Sequence, residues 1–253
     1  MTENNKNEVV ETSLVDISSN PEAFHNIVIT GKSKRNLTEA EVIAGQQAII
    51  AMALDCSGSC KKLKGAIQSA LNLSMDAIKT SKGSIQVSLV KFGSTVELQP
   101  FQYANDIDCT YEPNMGGTKL YDAIYATATN VFEQIQRMEV PYDVSGGIII
   151  VTDGEDNCSA PENRQKSIEA VHKLLNETNA TVFALLLGDA RNFPELIAYC
   201  EECGIRALVL KDDHEVRRAL NLLTQSMSIY SDDIVEAVNA DVLEQLTAID
   251  NNE

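Results

Sequence analysis

Residues 48–59 read AIIAMALDCSGS, an unbroken apolar run that stops at Asp55, Cys56, Ser57, Gly58 and Ser59. A run of this length, closed by polar and glycine residues, predicts a strand buried on both faces of a parallel sheet. Residues 148–154, IIIVTDG, repeat the pattern, so Asp153 should follow a second buried strand as Asp55 follows the first. Open α/β sheets bind ligands outside the carboxyl ends of their strands, near the point where strand order reverses. Asp55, Ser57, Ser59 and Asp153 are therefore expected on one rim of one sheet. Between the two strands lies Gly116-Gly117-Thr118. Its glycines give a flexible loop that can carry Thr118 to the same rim.

The residue types indicate the ligand. Two carboxylates and three hydroxyls are hard oxygen donors, and the set requires neither His nor thiolate. That suits Mg²⁺, Mn²⁺ or Ca²⁺ better than Zn²⁺ or copper. Only the two carboxylates are charged, so a dication held here stays electrophilic. It can take a further anionic oxygen from outside, such as a partner's Asp or Glu. Mg²⁺ favours octahedral geometry and retains waters, which matches a partly open site.

Together the D-x-S-x-S run, the later Thr and the later T-D-G resemble the metal-ion-dependent adhesion site of von Willebrand factor A domains. The match runs residue by residue through Asp55, Ser57, Ser59, Thr118 and Asp153. The resemblance spans about residues 44–230. It implies a non-enzymatic, divalent-metal-dependent protein–protein interaction module that captures a partner carboxylate through bound Mg²⁺, with Mn²⁺ or Ca²⁺ as alternatives. The chain is similar in kind to intracellular bacterial and phage A domains, including those found with AAA-type ATPases, chelatases and tellurite-resistance clusters. An AAA-type ATPase or another operon-encoded protein is thus among the implied partners. Two positions depart from the pattern. Many relatives have Met where this chain has Cys60, and Cys56 fills the variable position. Neither supplies a metal-binding oxygen in the family pattern, but both put thiols beside the site.

The rest of the chain predicts a doubly wound α/β sheet with helices on both faces and one antiparallel edge strand. Apolar residues Leu63, Ile67, Ala70, Leu71, Ala77 and Ile78 recur at helical spacing, with Lys61, Lys62 and Lys64 in the first turn. Those lysines are either simply exposed or form a positive rim that tolerates an acidic partner. Residues 84–98 alternate and break at Gly93-Ser94, as a strand pair would. Further helices are expected over 120–138, 162–177, 193–203 and 215–228, and strands over 181–187 and 205–210. Three segments follow: a polar N-terminal extension (1–35), the A domain (36–230) and an acidic amphipathic tail (231–253). In the extension, residues 23–30 read as a short strand. Thr38 and Glu41 read as a capping box before the first core strand. In the tail, Val235, Val238, Val242, Leu246 and Ile249 form one apolar seam, docking on the domain itself or on a partner.

With 253 residues, a formal charge of −17 and 44% hydrophobic residues, one α/β domain with tails is expected. The acidity argues against nucleic acid and anionic membranes as partners. The first residues lack an apolar signal segment and no run is long enough to span a bilayer, so a cytoplasmic location is expected. There the cysteines Cys56, Cys60, Cys109, Cys158, Cys200 and Cys203 would be reduced thiols. The first four could all lie near the rim. Cys200-Glu-Glu-Cys203 has metal-type spacing without a second pair, so a helix-face pair of thiols is the simpler reading.

Two other functions compete. Asp55 and the D-G-E-D run at 153–156 also resemble Mg²⁺-dependent haloacid-dehalogenase phosphatases, with Asp55 as nucleophile. Their second Asp, the general acid, is here Ser57, which cannot protonate a leaving group. A scaffold with an unused metal site is the other alternative. Oligomeric state is not legible.

Overall fold

Strand β1 (Gln47–Asp55) is the axis of the molecule, and its residues from Ala48 on are buried. The computed structural model describes residues 47–81, 84–138, 144–189 and 192–229, with side chains described to residue 224. It also describes four two-residue strands nearer the N-terminus. There Glu11–Thr12 pairs with Ile29–Thr30, and Val15–Asp16 with His25–Asn26, both antiparallel. The strand expected over 23–30 is thus present as two short pieces. The helix expected from Thr38 and the amphipathic segment 231–253 lie outside the described residues.

The other strands are β2 (Ser84–Phe92), β3 (Val96–Leu98), β4 (Gln102–Tyr103), β5 (Val144–Thr152), β6 (Asn179–Leu187) and β7 (Arg206–Leu210). They form one sheet in the order β7-β6-β5-β1-β2-β3, with β4 also bonded to β2. The five long strands run parallel. The expected antiparallel edge is there, divided between β3 and β4, which both pair with β2. The chain moves from β1 to β2 on one side, then returns to place β5 on the other. The reversal of strand order therefore falls between β1 and β5, whose carboxyl ends carry Asp55 and Thr152-Asp153.

Alternation along each strand divides the core in two. From β1, Ile50, Met52 and Leu54 point to one face, where they meet Ile67, Leu71 and Met75 of helix α1 (Lys64–Thr80). Val216, Leu220 and Leu223 of α5 (Asp213–Ile229) join the same cluster. Ile49, Ala51 and Ala53 point to the other face, against α2 (Leu120–Arg137), α3 (Pro161–Glu177) and α4 (Pro194–Cys203). Pro161 and Pro194 begin their helices, where the missing N–H costs nothing.

One local expectation is corrected. Residues 58–63 do not start α1 but form a separate 3₁₀ turn, Gly58–Leu63. Lys61 and Lys62 belong to that turn, and Lys64 opens the α-helix. Among the described residues, no helix is long and apolar enough to cross a membrane.

Candidate functional site

Asp55 closes β1 with its side chain almost wholly buried. A carboxylate in that position must find donors, and it has two. Its Oδ1 accepts the Ser57 backbone N–H at 2.8 Å, and its Oδ2 accepts the Thr152 hydroxyl at 2.6 Å. The second bond crosses from β5, whose register sets Val151 beside Leu54. Tyr111, itself fully buried, donates its hydroxyl to the Asp55 carbonyl at 2.5 Å. Burial pushes the Asp55 carboxyl above the usual carboxylate range, the Thr152 and Ser57 bonds pull it back, and nearby Asp153 raises it again.

The Ser57 and Ser59 hydroxyls are 2.9 Å apart, and Ser59 donates to Asp153 Oδ1 at 2.7 Å. A hydroxyl has one proton, so the chain runs from Ser57 to Ser59 to Asp153. Cys60 donates its thiol to the same Asp153 oxygen at 3.1 Å. Lys62 lies 3.9 Å from Asp153 Oδ2, on a side chain 71% exposed. One ligand atom each from Asp55, Cys60 and Asp153 falls within 4.8 Å of the others.

Thr118 is buried and reaches the rim area through its loop. Its N–H donates to the Asn157 side-chain oxygen at 2.7 Å, and the Asn157 N–H donates back to the Thr118 carbonyl at 3.0 Å. That clasp needs glycine at 117. A Cβ there would stand 2.7 Å from Asn157 Oδ1 and 2.8 Å from Cys158 Sγ. Asp156 accepts the N–H of Tyr121 in the first turn of α2 and that of Ser159, at 3.1 and 3.0 Å. Asp156 thus caps α2, the helix that follows Thr118, and Asn157 holds the threonine loop.

The structure thus joins Asp55, Ser57, Ser59 and Asp153 by direct or one-step hydrogen bonds. Thr118 is tied to the loop after Asp153, and its side chain makes no hydrogen bond to the other four. Thr152, Tyr111 and Asn157 were not singled out as site residues, although Thr152 stands within T-D-G. Cys60 was placed beside the site, and its thiol points into it. All six cysteines are free. Cys56 is buried behind the rim, its thiol pushed up to about 12 by burial. Cys158 is exposed and packs near Gly93, while Cys109 sits beside α1, its carbonyl accepting from Gln68. Cys200 and Cys203 are the expected pair of thiols on a helix, α4, and both are buried.

Residues 50–202 match the family model of the von Willebrand factor type A domain. The chain belongs to that family. The A domain does not stop at the matched stretch, since β7 and α5 complete the sheet and cover it. Among solved structures it is similar to the von Willebrand factor type A protein from Catenulispora acidiphila, at 15% identity and a TM-score of 0.56 over 72% of this chain and 43% of that one. It is also similar to the pilus adhesin SpaC from Lactobacillus rhamnosus GG, at 11% identity and 0.58 over 78% and 32%. A third is proximal thread matrix protein 1 from the mussel byssus, at 22% identity and 0.53 over 72% and 48%. The chain therefore spans less than half the length of these structures, and at such identities the likeness is one of fold. No curated protein matches it in sequence.

Proposed function

We propose that the A domain is a non-enzymatic, metal-dependent protein-binding module whose rim holds a divalent cation through Asp55, Ser57, Ser59, Thr118 and Asp153. The observation that carries this is the convergence of two side chains buried at the ends of neighbouring strands, Asp55 and Asp153, at the reversal of strand order. Two carboxylates so placed repel each other, and hydroxyls line the space around them. The donor set fits a hard dication, with Mg²⁺ first and Mn²⁺ or Ca²⁺ as alternatives. When bound, such an ion offers an electrophilic position to an anionic oxygen from outside.

The chain's own residues prepare that position. Thr152 and the Ser57 amide fix the Asp55 carboxylate, and each of its oxygens keeps a lone pair free. Ser57 and Ser59 add donors without adding charge. Asn157 holds the Thr118 loop, and Asp156 anchors the helix behind it. The partner is a protein presenting Asp or Glu, with an AAA-type ATPase or another operon-encoded protein as candidates in a cytoplasmic setting. The domain runs over 36–230, between a polar extension and an acidic tail. The phosphatase alternative gains nothing, because Ser57 stands where the general acid is needed and its hydroxyl faces Ser59.

Calorimetric titration of Mg²⁺, Mn²⁺ and Ca²⁺ into wild type and Asp55→Ala tests the reading, with a pulldown in Mg²⁺ or chelator beside it. Metal binding lost in the variant, with a partner retained only in Mg²⁺, supports it. No metal binding by wild type, or one partner set in both conditions, overturns it.

A further inference from the structure

Cys60 stands out among the six thiols because its sulfur takes part in the rim. The 3₁₀ turn Gly58–Leu63 explains why. Ser57 is the extended residue just before the turn and Cys60 the third residue within it; the Cys60 N–H bonds to the Ser57 carbonyl at 3.3 Å, and Sγ lies 4.0 Å from Ser57 Oγ. The turn therefore projects the thiol to the side that faces Asp153, and Sγ meets Asp153 Oδ1 at 3.1 Å. Cys60 is buried, so this direction is fixed by packing. The exposed Ser59 hydroxyl shares the same oxygen and marks a short way in from solvent.

We propose that Cys60 is itself a metal ligand, so that the rim also takes a thiophilic dication, Zn²⁺ above all, through Asp55, Cys60 and Asp153. This rests on the reading of the rim as a metal site and adds a second class of ion to it. Two carboxylates and a thiolate form a donor set suited to tetrahedral zinc, and thiolate selects zinc over magnesium. Metal–ligand distances of about 2.0–2.3 Å put donors of a tetrahedral site about 3.3–3.8 Å apart. The three ligand atoms lie within 4.8 Å of one another, so small side-chain rotations close the set. On binding, the Cys60 S–H bond breaks, the sulfur–metal bond forms and the proton leaves to solvent. A dication deprotonates a coordinating thiol outright.

The two ions have opposite consequences. The oxygen set leaves a dication balanced by two carboxylates and open to a partner's carboxylate. Adding a thiolate puts one negative charge in excess at the rim, which repels that carboxylate. Zinc bound through Cys60 thus competes with magnesium and blocks capture.

Cobalt(II) serves as the visible stand-in for zinc in the test. Titrating Co²⁺ into the full chain should produce thiolate-to-metal charge-transfer absorption that saturates at one ion per chain and is erased by Zn²⁺. Cys158→Ser should keep that absorption, and Cys60→Ser and Cys60→Ala should both lose it. In both Cys60 variants Zn²⁺ affinity should fall by about 100-fold or more, since even loss of an outer-shell partner costs about 10–100-fold. Mg²⁺ affinity, by calorimetry on the same samples, should fall by no more than about tenfold, the cost of losing the Cys60 donor to Asp153 Oδ1. Circular dichroism and a thermal melt show whether each variant is folded. Cobalt binding without charge-transfer absorption, or absorption that survives in folded Cys60 variants, overturns the role of Cys60. If Mg²⁺ still binds in that case, the oxygen-donor site stands. Failure of all of these ions to bind wild type overturns both.

Discussion

The two ends of the same three strands are built in opposite ways. At the amino ends of β1, β5 and β6, Ala48, Ser145, Gly146 and Ala180 are small and packed without charge. A Cβ on Gly146 would stand 2.8 Å from Ile135 Cδ1 of α2 and 3.0 Å from the Ala180 Cβ. At the carboxyl ends, the same sheet carries Asp55, Thr152 and Asp153, with serines and a thiol around them. The first end achieves close approach of helix and sheet. The second holds two carboxylates near each other, an arrangement that burial makes unfavourable for Asp55. One end favours stability and the other spends it on a site.

The largest expected effect comes from Asp55→Asn. The amide can still accept the Ser57 N–H and donate to Thr152, whose own proton can turn to the Gly154 carbonyl it already faces at 3.0 Å. The fold should therefore survive, while Mg²⁺ affinity falls about 100-fold or more, equivalent to about 2.7 kcal/mol. Calorimetry measures the affinity, and urea unfolding without metal measures the fold. A stability loss comparable to the binding loss would break the contrast between the two ends.

Gly146→Val is the converse experiment. The added side chain overfills a packed contact and should destabilise the domain by about 1–3 kcal/mol. Urea unfolding should register that loss, and metal affinity per folded molecule should be unchanged. A loss of affinity without a loss of stability would mean that the two ends are coupled.

How far this division could be read in advance depended on range. Residues 48–54 and 148–151 announce buried strands because the apolar run alone is diagnostic, and both are strands with the polar residue at the expected end. The proposed site residues came from the resemblance to the A-domain motif, and four of them, Asp55, Ser57, Ser59 and Asp153, share one hydrogen-bonded rim. The bonds that arm the site were less visible. Thr152 reaches Asp55 only because β5 pairs with β1 in one register, and pairing is not written in either strand. Tyr111 arrives from a loop 56 residues away, without periodicity to mark it. Cys60 was legible as a thiol beside the site, but the helical spacing that starts at Leu63 does not reveal the 3₁₀ turn before it, which brings the sulfur to 3.1 Å from Asp153 Oδ1.

Asn157→Ala sharpens the contrast within the rim. The variant leaves the buried Thr118 N–H without its acceptor, at a cost of about 1–3 kcal/mol if water does not reach it. It should also loosen the threonine loop and lower Mg²⁺ affinity about tenfold, as loss of an outer partner does. Asp55→Asn should separate binding from stability, whereas Asn157→Ala should lower both. Equilibrium unfolding and calorimetry on one preparation give the two numbers.

The smallest effect belongs to Lys62. Its ammonium lies 3.9 Å from Asp153 Oδ2, but the side chain is 71% exposed and water screens it. Exposed pairs of this kind contribute about 0.2–1 kcal/mol. Lys62→Ala should leave unfolding nearly unchanged. Its sign on metal binding is nevertheless informative. A lysine beside a cation site opposes the incoming dication and competes for the same carboxylate, so its removal should raise Mg²⁺ affinity about twofold to threefold, or about 0.5 kcal/mol. The gain should shrink as salt rises and the Debye length shortens. A fall in Mg²⁺ affinity would instead make Lys62 a support that orients Asp153, and charge rather than hydroxyls alone would then help to arm the rim.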